Sequence, residues 1–263
     1  MNDRELTWLS PEERQLPELP LRYLLKLLIL KMRRRTWGRL ADRDTRMSWT
    51  VTAVSDADGP AANVRNYLER QKLRDVLAKI AVAGRLRRAC EVGCGYGRLI
   101  MVLQEFADEV TGFEREGHLL EIARSLLPDI RFVRVPALTE IEDLAEYDFA
   151  MTFTVLQHLV DAEARAVCHT LQQLAPGGYV LCAEKTEAIS VTENTDDGRH
   201  FISRARTVAM YQEMMAPFQL VATTELVVEP TYHNPHPGTC MLFASPARWS
   251  ASSDLEPNGR SAR

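Results

Sequence analysis

The stretch Ala89–Leu99, ACEVGCGYGRL, restricts this chain to few architectures. Cys90-Glu91-Val92 reads as the end of a short buried strand, and Arg98-Leu99-Ile100-Met101-Val102-Leu103 as the first turns of a helix. Between them stand three glycines at alternate positions, Gly93, Gly95 and Gly97. Glycine permits a tight turn, a positive φ and a close approach to a ligand where a Cβ would intrude. A helix starting at such a turn aims unpaired N–H groups and its positive dipole end at that ligand.

Beyond this unit, strand-like and helix-like patterns alternate. Strands are expected at 109–113, 130–135, 147–155, 178–184, 218–229 and 239–245, with helices at 97–106, 117–126, 160–174 and 203–215. Alternation of this kind implies right-handed crossovers and a mainly parallel, doubly wound α/β sheet. The last two strands are separated only by Pro230–Gly238, too short for a crossover helix, so they form an antiparallel hairpin. Upstream, Asn63 is expected to cap a helix whose Val64, Leu68, Leu73, Val76, Leu77 and Ile80 recur at helical spacing.

Glu91-x-Gly93-x-Gly95-x-Gly97, followed 23 residues later by Glu114 at the end of VTGFE, resembles the cofactor loop of class I S-adenosylmethionine-dependent methyltransferases. YDFAMTFTVLQHL and LAPGGYVLCAE resemble the fourth and fifth strand regions of the small-molecule members, which include many sugar and natural-product O-methyltransferases. The resemblance spans about Asn63 to Ser245. It implies a Rossmann-like, seven-stranded, mostly parallel sheet with an antiparallel last strand, which dehydrogenase domains lack. It divides the chain into a 1–62 arm with a helical extension, a 63–245 methyltransferase domain and a disordered 246–263 tail.

The resemblance also implies roles. Glu91 and the backbone of Gly93, Cys94, Gly95, Tyr96 and Gly97 hold the methionine part of S-adenosylmethionine, and Glu114 accepts from the ribose hydroxyls. Arg115 flanks the adenine, and Thr152 and Phe153 line the sulfonium side. The acidic residue that often follows the third strand is replaced by Val135-Pro136-Ala137, which leaves the backbone near Ala137 and Leu138 for the adenine. A helix before the first strand lies over the cofactor in this family, so Arg65 or Tyr67 is a candidate for the methionine carboxylate.

Ligands of an open parallel sheet sit outside the carboxyl ends of its strands. The segments leaving those ends carry Gln157, His158, Glu184, Glu187, His200, His233 and His236, four of the chain's six histidines. Methyl transfer to a hydroxyl needs a base, and imidazole titrates in the right range. His158 is the first candidate, since related sugar methyltransferases have a histidine here in an LHH-type motif; Gln157 replaces its partner. Glu184 is expected to orient His158 or bind a substrate hydroxyl, and Gln157, His200, His233 and His236 to line the acceptor site. His233 and His236, with Glu184 or His200, also form a candidate divalent-metal site, which a lone HxxH does not favour.

The reading is therefore an O-methyltransferase acting on a hydroxylated small molecule, with a sugar or glycan as leading acceptor. The alternatives are an N-methyltransferase of a small natural product or metabolite and a non-catalytic cofactor-binding module. The Asn-Pro-Pro-Tyr tetrapeptide used on base nitrogens is absent after the fourth strand, where Thr152-Phe153-Thr154-Val155 stands, and the net charge of −4 gives no case for nucleic acid. Charge is uneven, however: Arg22 to Arg46 holds nine Lys or Arg against two Asp. The leucine-rich basic segment 21–40 suits packing on the domain, a homodimer contact or peripheral contact with an anionic membrane. Five cysteines without a CxxC pair, and an acidic N-terminus unlike a signal peptide, fit a reduced, cytoplasmic setting.

Overall fold

The computed structural model describes residues 59–81, 84–142, 145–186, 190–196, 199–226 and 238–253. The chain divides into two compact units, Met1–Leu68 and Glu69–Arg263, and the second carries the sheet. The elements are α1 (Gly59–Ile80), β1 (Leu86–Val92), α2 (Ile100–Phe106), β2 (Ala107–Glu114), α3 (Gly117–Leu126), β3 (Arg131–Arg134) and β4 (Phe149–Phe153). A 3₁₀ turn (Leu156–His158) leads to α4 (Asp161–Leu174) and β5 (Tyr179–Lys185). Next come β6 (Ser190–Asp196), β7 (Arg199–Ala205), α5 (Val208–Met215), β8 (Gln219–Leu226), β9 (Gly238–Ala244) and α6 (Pro246–Ser253).

Seven strands form one sheet in the order β3-β2-β1-β4-β5-β9-β8. β1 to β5 pair in parallel, and β9 runs antiparallel to both neighbours. Central strands such as FAMTF are buried along their whole length, because both faces of the sheet are covered. One face packs Phe149, Met151, Phe153 and Leu181 against Leu73 and Leu77 of α1, Ile100 and Leu103 of α2, and Leu120 of α3. The other packs Cys90, Ala150, Val180 and Cys182 against Val167, Cys168 and Leu171 of α4 and Tyr211 and Met215 of α5. Strand order reverses between β1 and β4, which places the ligand crevice above their carboxyl ends.

Several boundaries differ from expectation. α1 starts at Gly59, ahead of Asn63; Pro60 has a φ preset for a first helical turn. α2 starts only at Ile100, since Gly95–Leu99 forms turns, so a seven-residue helix follows the glycine loop. β4 stops at Phe153 because Thr154 turns to φ +55°. The helix expected over 203–215 begins at Val208, and β6 and β7 form a separate antiparallel hairpin before it. The segment from Pro246 opens as a helix where a disordered tail was expected, with Trp249 N–H donating to Ser245 O at 2.9 Å. The basic segment 21–40, His233 and His236 lie outside the described residues. Among the described residues no helix is long and apolar enough to cross a membrane.

Candidate functional site

β1 delivers Glu91 to the crevice and the chain then turns through three glycines with φ of +77°, +56° and +81°. The turn is pinned to β2, as the N–H groups of Gly93 and Cys94 both donate to Phe113 O at 2.8 and 3.0 Å. At Gly93 a Cβ would stand 2.6 Å from Val155 Cγ2, so the loop lies directly beneath the segment leaving β4. At Gly95 a Cβ would meet nothing within 4 Å, which leaves open space beside the backbone. The Cys94 side chain is turned away from the loop surface. Its thiol points inwards, where a Cβ on Gly112 would come within 2.7 Å of it, and burial raises its pKa.

Glu91 is 2% exposed, and its Oε2 is buried without a hydrogen-bond partner among the described residues. Burial pushes the carboxyl up to about 8, opposed by Arg98 and assisted by Glu114. Arg98 itself is fixed from two sides. Its Nη1 donates to Glu69 of α1, which is 1% exposed, and its guanidinium lies 5.0 Å from the centre of the Phe153 ring. Arg70 Nε donates to Arg98 O at 3.0 Å. The sequence reading missed this cluster, although Glu69 shares a helical face with Leu73, Val76, Leu77 and Ile80, an acid where an apolar residue belongs. The side chains of Arg65 and Tyr67 lie outside the description.

Glu114 ends β2 and is 8% exposed. Its Oε1 accepts from the N–H groups of Arg115 and Glu116 at 2.8 and 2.9 Å, and its Oε2 from Gly95 N–H at 2.8 Å. A carboxylate oxygen accepts two bonds, so Oε2 retains acceptor capacity towards the crevice while the residue also closes the glycine loop. Arg115 is exposed and turned to Glu116, with Nε donating to Oε1 at 3.1 Å. After β3, Leu138 comes within 3.6 Å of where a Cβ on Gly93 would stand, and Ala137 O accepts from Glu140 N–H at 3.0 Å.

The rim above β4 and β5 departs from expectation in two ways. Glu184 is fully buried and does not orient His158 directly. Its Oε1 accepts from Val155 and Leu156 N–H, and its Oε2 from Gln157 N–H, each at 3.1 Å. Among the described residues no group of three or more His, Cys, Asp or Glu is arranged for a metal. His158 Nε2 lies 3.1 Å from Gln157 Nε2. Gln157 Oε1 accepts from Lys185 N–H at 3.2 Å, which fixes the amide orientation and turns its NH₂ towards His158.

Phe153 lies on the sheet face of Met151, under the Arg98 guanidinium, and Thr152 lies on the opposite face. Alternation along β4 puts Thr152 on the face of Ala150, fully buried, with its hydroxyl unpartnered among the described residues. The hairpin backbone pairs His200 with Thr195. A residue that no sequence signal singled out completes the rim: Arg206, 1% exposed, donates to Leu156 O at 2.7 Å and Leu159 O at 2.6 Å, with Nε on Asp161 at 2.9 Å.

These residues fit S-adenosylmethionine. An ammonium would satisfy the orphaned Glu91 oxygen, the open side of Gly95 lets the backbone approach the ligand, and Glu114 can take a hydroxyl. Comparison with known proteins agrees. A family model described as a methyltransferase domain matches residues 64–216, more than half of the chain. Trans-aconitate 2-methyltransferase of Rhizobium leguminosarum bv. trifolii is 28% identical over 129 residues, 48% of this chain and 46% of that protein, so the match spans less than half the relative's length. A SAM-dependent methyltransferase of Leishmania major superposes with a TM-score of 0.59 at 22% identity, over 74% of this chain and 78% of that one. The Burkholderia thailandensis 1,6-didemethyltoxoflavin-N1-methyltransferase, solved with 1,6-didemethyltoxoflavin and S-adenosylhomocysteine, gives 0.56 at 18% identity over 87% and 92%. At these identities the structures share the fold.

Proposed function

The chain belongs to the methyltransferase-domain family, and from that premise we propose that it transfers a methyl group from S-adenosylmethionine to an oxygen of a small-molecule acceptor, with residues 63–245 as the catalytic domain. Bound S-adenosylmethionine supplies an electrophilic methyl group on a sulfonium. Glu91 takes the ammonium of its amino-acid end, Arg98 stands beside it for the carboxylate, and Glu114 takes the ribose. Phe153, stacked on Arg98, gives the crevice an apolar wall. Gln157 and His158 face the acceptor from the turn above β4.

The observation that carries this reading is the orphaned, buried Glu91 oxygen beside an open glycine loop. A hydroxyl acceptor, with a sugar as leading class, is supported by His158 in its position after β4. His158, oriented by the Gln157 amide, takes the hydroxyl proton on Nε2 when the acceptor hydroxyl displaces that amide. A carboxylate acceptor is a second reading, favoured by the engagement of both His158 Nε2 and Glu184. A carboxylate attacks without losing a proton, and the Rhizobium relative is named for trans-aconitate.

The test is a panel of sugars, polyols, hydroxy acids, polycarboxylates and amines incubated with methyl-radiolabelled donor. An ether product retains its label in mild alkali, an ester releases it as methanol, and an N-methyl product retains it while its nitrogen stays titratable. Label in an ether supports the hydroxyl reading and alkali-labile label the carboxylate reading. Label on nitrogen alone overturns both.

A further inference from the structure

The turn that follows β4 is gripped by two buried ionic side chains from other elements. Its N–H groups at Val155, Leu156 and Gln157 all donate to the Glu184 carboxylate at the end of β5. Its carbonyls at Leu156 and Leu159 both accept from Arg206, just before α5. A short helical turn leaves unpaired N–H groups at its start and unpaired carbonyls at its end. Here an anion meets the first set and a cation the second, the arrangement that a helical dipole favours. The grip holds a strained residue. Thr154, β-branched, sits at φ +55°, a conformation such side chains avoid, with its N–H on Ala183 O at 2.8 Å. A second staple runs the other way, from Lys185 N–H to Gln157 Oε1.

We infer that Glu184 and Arg206 form a positioning clamp that holds the Gln157–His158 pair towards the acceptor, an assignment that rests on the acceptor lying above β4 as proposed. The chain of contacts is continuous: Glu184 fixes Gln157 N–H, Lys185 fixes the Gln157 amide, and that amide holds His158 Nε2. Glu184 thus acts on the reaction through other residues and touches neither cofactor nor acceptor. Strain at Thr154 explains why two charges are spent on so short a turn.

The clamp responds to protonation. A neutral Glu184 carries a hydroxyl in place of one acceptor oxygen and sets a donor against a backbone donor. Burial pushes its carboxyl up to about 7, opposed by the three backbone bonds and by Arg206. Among the described residues the other titratable groups around it are Tyr211 of α5, Cys182 of β5 and Cys240 of β9, with His158 one hydrogen bond further on through Gln157. Burial raises Tyr211 and Cys240, and the hydrogen bond with Cys168 followed by burial raises Cys182, so these three stay neutral across this range. The clamp therefore tightens as pH rises through about 7.

Amide hydrogen exchange of the unmodified full-length protein reads the clamp without any acceptor. Corrected for intrinsic rates, protection at 155–157 should rise about tenfold from pH 6 to pH 8, while amides in the interior of α4 stay level. Protection at 155–157 no greater at pH 8 than that of exposed turn amides would overturn the clamp, whether or not Glu184→Gln folds. High protection that is flat with pH would overturn its response to protonation. In Glu184→Gln, protection should be low and pH-independent, with S-adenosylhomocysteine affinity within about threefold of wild type. With the acceptor methylated in the panel above, kcat/KM should fall about 10–100-fold, and Gln157→Leu should raise KM for that acceptor. Wild-type kcat/KM in Glu184→Gln would refute the positioning role. A panel without any methylated product would instead refute the acceptor reading and leave the exchange result standing.

Discussion

Binding of the cofactor should release a proton, and the source should be Glu91. Its carboxyl is held at about 8 by burial, with Oε2 unpartnered among the described residues. At pH 7 such a group is about nine-tenths protonated. An ammonium placed against Oε2 favours the ionised form, so the pKa drops well below 7 and about 0.9 proton leaves per molecule bound. The sign follows directly: the free protein holds more protons than the complex, so affinity strengthens as pH rises towards 8, by up to tenfold per unit. Above that the ligand's own α-ammonium begins to lose its proton, so pH 6 to 7.5 is the useful window. Calorimetric titration with S-adenosylhomocysteine at pH 7, in buffers of differing ionisation enthalpy, gives the proton count as a slope. Glu91→Gln should release none, and neither should wild type binding 5′-methylthioadenosine, which lacks the amino-acid end. Release below about 0.2 proton by wild type, or equal release by Glu91→Gln, would show that Glu91 does not meet the ammonium.

The same group bears on stability. Glu91 keeps its proton to higher pH when folded than when unfolded, so its contribution is complete below about 4.5 and is lost as pH rises to about 8. Thermal unfolding of the free protein should therefore weaken across that interval, by several kcal/mol in order of magnitude, and Glu91→Gln should flatten the decline. Glu114→Ala removes a ribose acceptor and the tie to Gly95, and should weaken S-adenosylhomocysteine binding about tenfold or more; wild-type affinity by calorimetry would end the ribose assignment. Gly93→Ala forces a Cβ to 2.6 Å from Val155 at φ +77°, and should cost about 1–3 kcal/mol in chemical denaturation. His158→Ala should leave S-adenosylhomocysteine affinity unchanged while lowering turnover of a hydroxyl acceptor about 10²–10⁴-fold, whereas a carboxylate acceptor should lose less than about tenfold. Equal loss of affinity and turnover would make His158 a packing residue.

What the sequence disclosed is what local pattern encodes. A glycine triplet between an apolar run and a helical run specifies a strand, a turn and a ligand, and a nine-residue gap between the last strands forbids a crossover. The fold was legible on those two grounds, and the place of Glu114 beside the glycine loop on its spacing from it. The hairpin at 190–205 was missed because SVTENTD and RHFISRA are too polar to signal a buried strand, and the Arg and Ser residues before α5 read equally well as helix. Contacts between distant segments leave no local trace. Glu69 with Arg98 spans 29 residues and Arg206 with Leu156 spans 50, so neither partner marks the other in the sequence. Thr152 and Glu184 failed for a subtler reason: alternation assigns a residue to a face, but which face holds the ligand depends on the layers packed above it.

Two buried carboxylates at the strand ends show how partner, not position, decides use. Glu91 and Glu184 occupy equivalent places at the ends of β1 and β5, both are almost fully buried, and burial raises both. Their surroundings oppose burial differently. Three backbone N–H groups and a guanidinium answer Glu184, so its oxygens are occupied and its removal would loosen a turn. Among the described residues only Arg98 counters burial at Glu91, and Arg98 is itself committed to Glu69. A chain selected for stability alone would fill position 91 with glutamine or an apolar residue, because an unpartnered buried carboxyl costs free energy in every unliganded molecule. Retaining the acid fits the proposed ammonium contact, in which a cationic donor completes it. The cost in the free protein then becomes selectivity for a ligand with an ammonium, over an adenosine fragment that fills the same crevice without one.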